Sequence, residues 1–301
     1  MKMTRLIPIC LLAIFVMNRP VAAQQNMYLS TAESEMRIYD PTGSLVNSFP
    51  LAQSVDVAVD SSRNIYASVA GTNVVLRYSA DGEGPVAFGA TSGTTANALL
   101  FTDSGDLLVG VNQSAPTNDT IDTLSPDGEL LGTFAELPDA RAAVFSMTYG
   151  PDGNLYATFG NDVLRYDLEG NFLGLFTTAP TSRSDLLIDI AFDSNGNLFM
   201  ATNSSKLFRA SSNGSVDATF DLPYRFLSMA IDDNDVLHIG GEQEFNIGLV
   251  DQYDTNGVRI GNLVSDIPGA VVDIMFVTVP EPSSFAMLAS ALCFLGLARR
   301  R

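Results

Sequence analysis

The sequence predicts an all-β fold, a six-bladed β-propeller, from three observations. A repeat recurs at intervals of 42, 48, 43, 39 and 45 residues, a glycine hairpin falls at the same point in every copy, and a partial last copy is completed by the start of the chain. Periods near 40 to 45 residues with about four short strands belong to propeller blades, which bury their faces against one another.

The first half of each copy is an alternating apolar strand, an acidic or Gly/Asn turn, and a second strand. Asp56-Val-Ala-Val-Asp60 leads to Asn64-Ile65-Tyr66, Ser146-Met-Thr-Tyr-Gly150 to Asn154-Leu155-Tyr156, and Asp189-Ile-Ala-Phe-Asp193 to Asn197-Leu198-Phe199. Weaker copies run from Ala98 to Leu108 and from Ser228 to His238. Period-2 alternation marks strands with one buried face. The second half holds a hairpin at Gly43, Gly82, Gly128, Gly170, Gly214 or Gly257, followed six residues later by Phe49, Phe88, Phe134, Phe176, Phe220 or Leu263. Glycine supplies the positive φ of a tight hairpin, and the apolar residue returns to the core. Ala58, Leu100, Thr148, Ala191, Ala230 and Met275 mark the middle of successive first strands. The last copy has only its first strand, 270–277. Segment 26–49 supplies the remainder, with Asn26-Met27-Tyr28 matching Asn64-Ile65-Tyr66, so pairing the two ends closes the ring and hides its open edges.

Two terminal segments stand apart from this body. Lys2 and Arg5, the apolar run from Leu6 to Met17 and Val21-Ala22-Ala23 read as a secretory signal over 1–23, with cleavage after Ala23. At the other end, over 279–301, Pro280-Glu281-Pro282 precedes an uncharged run from Phe285 to Ala298 and then Arg299-Arg300-Arg301. As a helix that run would be about 21 Å long, marginal against a hydrocarbon core of ~30 Å. The arginines should stay cytoplasmic and leave the 24–278 body outside.

The order of tripeptide, apolar helix and basic end resembles the PEP-CTERM sorting signal of exported proteins in Gram-negative bacteria that make extracellular polysaccharide. The resemblance implies an exosortase-type partner that recognises Pro280-Glu281-Pro282 and removes the helix. An inner-membrane-anchored precursor with a periplasmic domain then passes to the cell surface or matrix. The membrane is a partner only through that helix before processing.

The 301 residues are 46% hydrophobic and 17% charged with a formal charge of −18, which excludes a disordered chain. Without the terminal segments the body keeps ten basic and 33 acidic residues, a net −23, and loses both cysteines, Cys10 and Cys293. That acidity argues against nucleic acid and anionic membrane surfaces as partners and leaves cations, polysaccharide and surface proteins. The absence of thiols excludes disulfides and cysteine nucleophiles from the body.

The Asp-Ile-Ala-Phe-Asp-Ser-Asn-Gly-Asn-Leu type of repeat resembles the NHL-repeat and SMP-30/gluconolactonase-like propellers over residues 26–277. A WD40 ring would need repeated Trp-Asp, and the chain has no tryptophan. The resemblance identifies the fold better than the activity, and implies as one possibility a divalent-metal hydrolase or lyase of the SMP-30 or streptogramin-lyase type.

Catalytic candidates are few. The single histidine, His238, falls in the register of Tyr28, Tyr66, Leu108, Tyr156 and Phe199, a packing position, and no Gly-x-Ser-x-Gly elbow accompanies it. Lys206, the one lysine outside the signal, sits on a regular strand. Two residues before the strand midpoints come Asp56, Ala98, Ser146, Asp189, Ser228 and Asp273, which a propeller places by its central channel. Asp56, Asp189 and Asp273 are oxygen ligands for a hard cation such as Ca²⁺, or else partners for water and neighbouring backbone. No other cofactor is expected. Arg141, Arg183 and Arg225 fall in successive between-blade loops, where arginine forks could hold an acidic sugar or a peptide carboxylate, or pair with nearby acids. Asp193-Ser-Asn-Gly-Asn197 and Asp232-Asp-Asn-Asp235 lack the twelfth-position glutamate of an EF-hand and are assigned to hairpin turns. With a sorting signal and few catalytic candidates, the sequence reads as a non-enzymatic cell-surface or extracellular-matrix binding module.

Overall fold

The computed structural model describes residues 24–114, 117–138, 143–182, 185–243 and 246–279. Among the described residues every regular element is a strand, and the strands group into six antiparallel sheets of four. Residues 25–277 form one compact unit. Blade 1 is assembled from both ends: Val271–Val279 is its innermost strand and pairs with Gln24–Thr31, followed by Glu35–Tyr39 and Leu45–Pro50. Blades 2 to 6 begin with the inner strands Ser54–Val59, Thr95–Phe101, Met147–Tyr149, Leu187–Phe192 and Arg225–Ile231. The predicted closure is therefore the observed one, and the Ala32 amide donates to the Ala270 carbonyl across it (2.9 Å).

Six apolar clusters hold the ring, one between each pair of neighbours. Tyr28, Met36 and Ile38 of blade 1 meet Val57, Ile65 and Ala67 of blade 2, and Met27 and Leu29 close the ring against Val250 and Val264 of blade 6. Burying whole faces of two sheets against each other is what stabilises a blade that has no core of its own.

Both halves of the hairpin motif find their reason between blades. Gly128 has φ +87°, and a Cβ there would overlap the carbonyl of Phe88 in the preceding blade; Gly170 stands in the same relation to Phe134. The glycine thus meets two demands at once, a left-handed turn and a close approach. The phenylalanine six residues on is the surface against which the next blade's hairpin closes.

In blade 6 the strands Leu237–Gln243 and Ile247–Tyr253 pair as far as Gln243 with Ile247. Gly240 and Gly241 are packing glycines: Cβ atoms there would meet Val271 and the Arg225 carbonyl.

Candidate functional site

Within each blade the chain runs outward from the channel. One face of the ring therefore carries the hairpins within blades, and the other carries the between-blade connections together with the turns joining second and third strands. The inner strands line a channel cavity of about 160 Å³, to which Val55-Asp56, Phe145-Ser146, Ile188-Asp189, Leu227-Ser228 and Val272-Asp273 contribute.

The structure brings Asp56, Asp189 and Asp273 to this cavity and engages each carboxylate at least twice. Asp273 accepts from its own neighbour Ile274 N (2.8 Å) and from Val57 N of blade 2 (3.1 Å). Asp56 accepts from Val57 N (2.9 Å) and from Leu99 N of blade 3 (2.6 Å). Asp189 accepts from Ile190 N (2.8 Å), from Ser146 Oγ of blade 4 (2.9 Å) and from Met229 N of blade 6 (2.7 Å). Each is a latch from one inner strand to the next blade, and Ser146 Oγ makes a weaker version by accepting from Ile190 N (3.3 Å). Ala98 has no group with which to do so, and the Ser228 hydroxyl is buried with no hydrogen-bond partner among the described residues.

The three carboxylates keep a little surface open to the narrow channel while protein surrounds them on all other sides. Burial raises all three pKa values, and Asp273 adds repulsion at Asp56 and Asp189; Asp189 is pushed up to about 7. Backbone amides oppose the rise but do not cancel it. Among the described residues no group of three or more His, Cys, Asp or Glu side chains converges to hold a metal ion.

Of the three predicted arginines, Arg225 alone falls among the described residues. Arg141 and Arg183 lie outside the described residues. Arg225 is exposed and pairs with Glu242 (3.0 Å) at a loop-face cavity of about 850 Å³, lined also by Tyr224, Gln243, Asp251 and Arg259. Arg259 is the cation that sequence reasoning missed. Its guanidinium grips the buried Asp251 with two bonds, Nε to Oδ2 (2.8 Å) and Nη2 to Oδ1 (2.7 Å). Asn262 donates to the same carboxylate (3.0 Å), and these partners hold Asp251 below its ordinary pKa despite burial. The only sequence signal is the eight-residue spacing across one hairpin.

His238 occupies the packing position its register indicated. It is 3% exposed, stacks edge-on against Phe276 at 4.6 Å, and places Nε2 3.3 Å from Asp232 Oδ2. Burial lowers its pKa, and Asp232 only partly offsets this. Asp193 and Asp232 spend their carboxylates on their own turns, accepting from Asn195 and Asn197 N and from Asn234 and Val236 N at 2.8 to 3.0 Å.

Residues 278–301 match the PEP-CTERM protein-sorting motif. This chain carries a PEP-CTERM sorting signal. The motif implies an exported protein with a C-terminal membrane anchor before processing, and processing by an exosortase-type enzyme. Pro280, Glu281, Pro282, the apolar run and Arg299, Arg300 and Arg301 lie outside the described residues, as does Ala23. Among the described residues no helix is long and apolar enough to cross a membrane.

No curated protein matches the PEP-CTERM chain in sequence. Its body is similar to solved propellers. One is a protein of unknown function from Bacteroides caccae (15% identity, TM-score 0.64, covering 85% of this chain and 99% of that one). A chain of the nidogen/laminin complex shows 12% identity and a TM-score of 0.66, covering 84% of this chain and 98% of that one. A catalytically inactive histidine-to-alanine variant of virginiamycin B lyase from Staphylococcus aureus, solved with quinupristin, shows 17% identity and a TM-score of 0.52 over 75% of this chain and 70% of that one. At these identities the likeness establishes the fold.

Proposed function

We propose that the PEP-CTERM protein is exported through its 1–23 signal, sorted by an exosortase-type enzyme, and acts at the cell surface or in the extracellular matrix as a non-enzymatic binding module. The observation that carries this is the conjunction of a sorting motif at residues 278–301 with a propeller whose channel carboxylates are engaged by backbone amides of neighbouring blades. A carboxylate that already accepts two or three hydrogen bonds has few lone pairs left to ligate a cation. The lyase variant is inactive after one histidine-to-alanine change, and the single histidine here is buried away from the channel lining. The nidogen/laminin neighbour supports binding as a use of such a ring. The loop-face cavity beside Arg225 and the net −23 of the body favour polysaccharide or surface proteins as partners.

The competing metal-hydrolase or lyase reading is separated by metal analysis of the purified protein together with a glycan and secretome binding screen. A metal-free folded protein that binds a surface component is expected. A stoichiometric Ca²⁺, Mg²⁺ or Mn²⁺ that is lost in an Asp56→Asn/Asp189→Asn variant would overturn the binding reading.

A further inference from the structure

The repeat places a ring at one position in most blades and omits it in one. In blade 2, Tyr66 stands opposite Ala58 and Arg77 in the sheet, between Phe88 of its own outer strand (4.8 Å, 82°) and Phe101 of the next blade's inner strand (4.9 Å, 77°). Its hydroxyl donates to Asp60 Oδ2 in the adjoining turn (3.1 Å). In blade 4, Tyr156 repeats the arrangement between Phe176 (5.0 Å) and Phe192 (4.8 Å), with its hydroxyl donating to Asp152 Oδ2 (3.1 Å). His238 in blade 6 is a third version, with Phe276 and Asp232 as partners.

Blade 3 has Leu108 at this position, opposite Leu100 and Thr123 where blade 2 has Ala58 and Arg77. The two flanking aromatics are still present as Phe134 and Tyr149, and both pack against the cluster that contains Leu108. The adjoining turn has Thr102 and Ser104 where blades 2 and 4 have the acceptors Asp60 and Asp152, with Asp103 and Asp106 beside them. Between them lies a cavity of about 490 Å³ lined by Leu108, Thr123, Phe134, Tyr149, Asp103 and Asp106, with the exposed Leu168 of blade 4 at its lip. Asp106 is engaged by Ser104 Oγ (2.7 Å), whereas Asp103 makes no hydrogen bond among the described residues. Shorter side chains, Leu108 and Thr123 in place of Tyr66 and Arg77, thus stand between two aromatic walls, and Asp103 and Asp106 supply carboxylates at the cavity from turn positions of their own.

We propose that this slot between blades 3 and 4 binds a phenolic ring. The ligand's ring sits edge-on between Phe134 and Tyr149, and its hydroxyl donates to Asp103 or Asp106, which neighbour the turn positions that accept from tyrosine in blades 2 and 4. Edge-to-face geometry at ring centroids 4.5 to 7 Å apart favours an aromatic over an aliphatic occupant. A buried ring edge with an acceptor at its outer end favours a donor-bearing ring over a bare one, because a site built to receive a hydroxyl discriminates against its absence. The slot opens on the hairpin face, away from the loop-face cavity at Arg225, so it stands or falls separately from the function proposed above.

Calorimetric titration of the full chain with p-cresol and with its methyl ether, 4-methylanisole, tests this. p-Cresol is expected to bind with one site per chain and at least tenfold tighter than 4-methylanisole. Leu108→Tyr, which refills the slot, is expected to weaken p-cresol binding at least tenfold and to raise the melting temperature. Should that variant not fold, Asp103→Asn/Asp106→Asn on the exposed turn carries the test, with at least a threefold loss of p-cresol affinity expected. Absence of p-cresol binding, equal binding of its methyl ether, undiminished binding by a folded Leu108→Tyr, or no loss in the Asp variant would each overturn the proposal.

Discussion

Asp189→Asn should remove a pH-dependent destabilisation that the channel imposes on the folded state. In the unfolded chain this carboxyl titrates near 3.8, and in the folded protein near 7. Between those values the folded state holds a proton that the unfolded state has lost, so this residue's contribution to stability falls as pH rises from about 4 to about 7. Three pKa units correspond to about 4 kcal/mol at most. With the folded pKa near 7 setting the window, the part that falls between pH 5 and pH 8 is roughly 2.5 kcal/mol. Asparagine keeps an acceptor for Met229 N and sets its amide against Ser146 Oγ and Ile190 N at a cost that does not vary with pH, and it carries no charge at any pH. Denaturant unfolding of wild type and variant at pH 5, 6, 7 and 8 measures the effect. The wild type should lose roughly 2.5 kcal/mol relative to the variant across that range. A difference that stays flat, or moves in the wild type's favour as pH rises, would refute the assignment of Asp189 as a desolvated carboxyl.

Two further perturbations test the packing. Gly128→Ala should cost about 2 kcal/mol or more, since it adds a side chain at φ +87° and drives it into the Phe88 carbonyl. Gly261→Ala, where nothing lies within 4 Å, is the control and should be close to neutral in the same denaturant assay. Arg259→Met should lower the melting temperature at neutral pH by leaving Asp251 ionised and short of its cation. Because that carboxyl's folded pKa is depressed, its stabilisation is present above the unfolded value and lost as pH falls through the folded one. The gap between variant and wild type should therefore close in acid.

The ring was legible in the sequence because each copy repeats the same local physics: alternation, an Asp-led turn, a glycine hairpin. The ends betrayed the closure, since a lone inner strand at 271–279 and a blade lacking one at 24–50 complete each other. What the spacing did not reveal lies between copies. The constancy of Gly128 and Phe134 is visible as six residues, but the contacts that matter run from Gly128 back to Phe88 and from Phe134 forward to Gly170. The channel aspartates were placed correctly beside the channel. Their latches, however, join residues about one repeat apart, such as Asp56 with Leu99, and no local pattern encodes which lone pair meets which amide. Arg225 was singled out as a scarce cation and proves to be paired with Glu242, while Arg259 escaped notice inside an ordinary outer strand. Leu108 was already aligned with Tyr66 and Tyr156. Only the cavity around it shows that the smaller residue leaves the slot open and not collapsed.

The most direct test of the sorted binding module is the fate of its C-terminus in cells. Mass spectrometry and fractionation of the wild-type protein should find the mature chain outside the inner membrane and without the segment from Phe285 to Arg301. A Pro280→Ala/Glu281→Ala double variant should remain full length and membrane-bound. If the double variant is processed and released like the wild type, or if the wild type itself keeps its tail in the membrane, the account of export, sorting and surface action is contradicted.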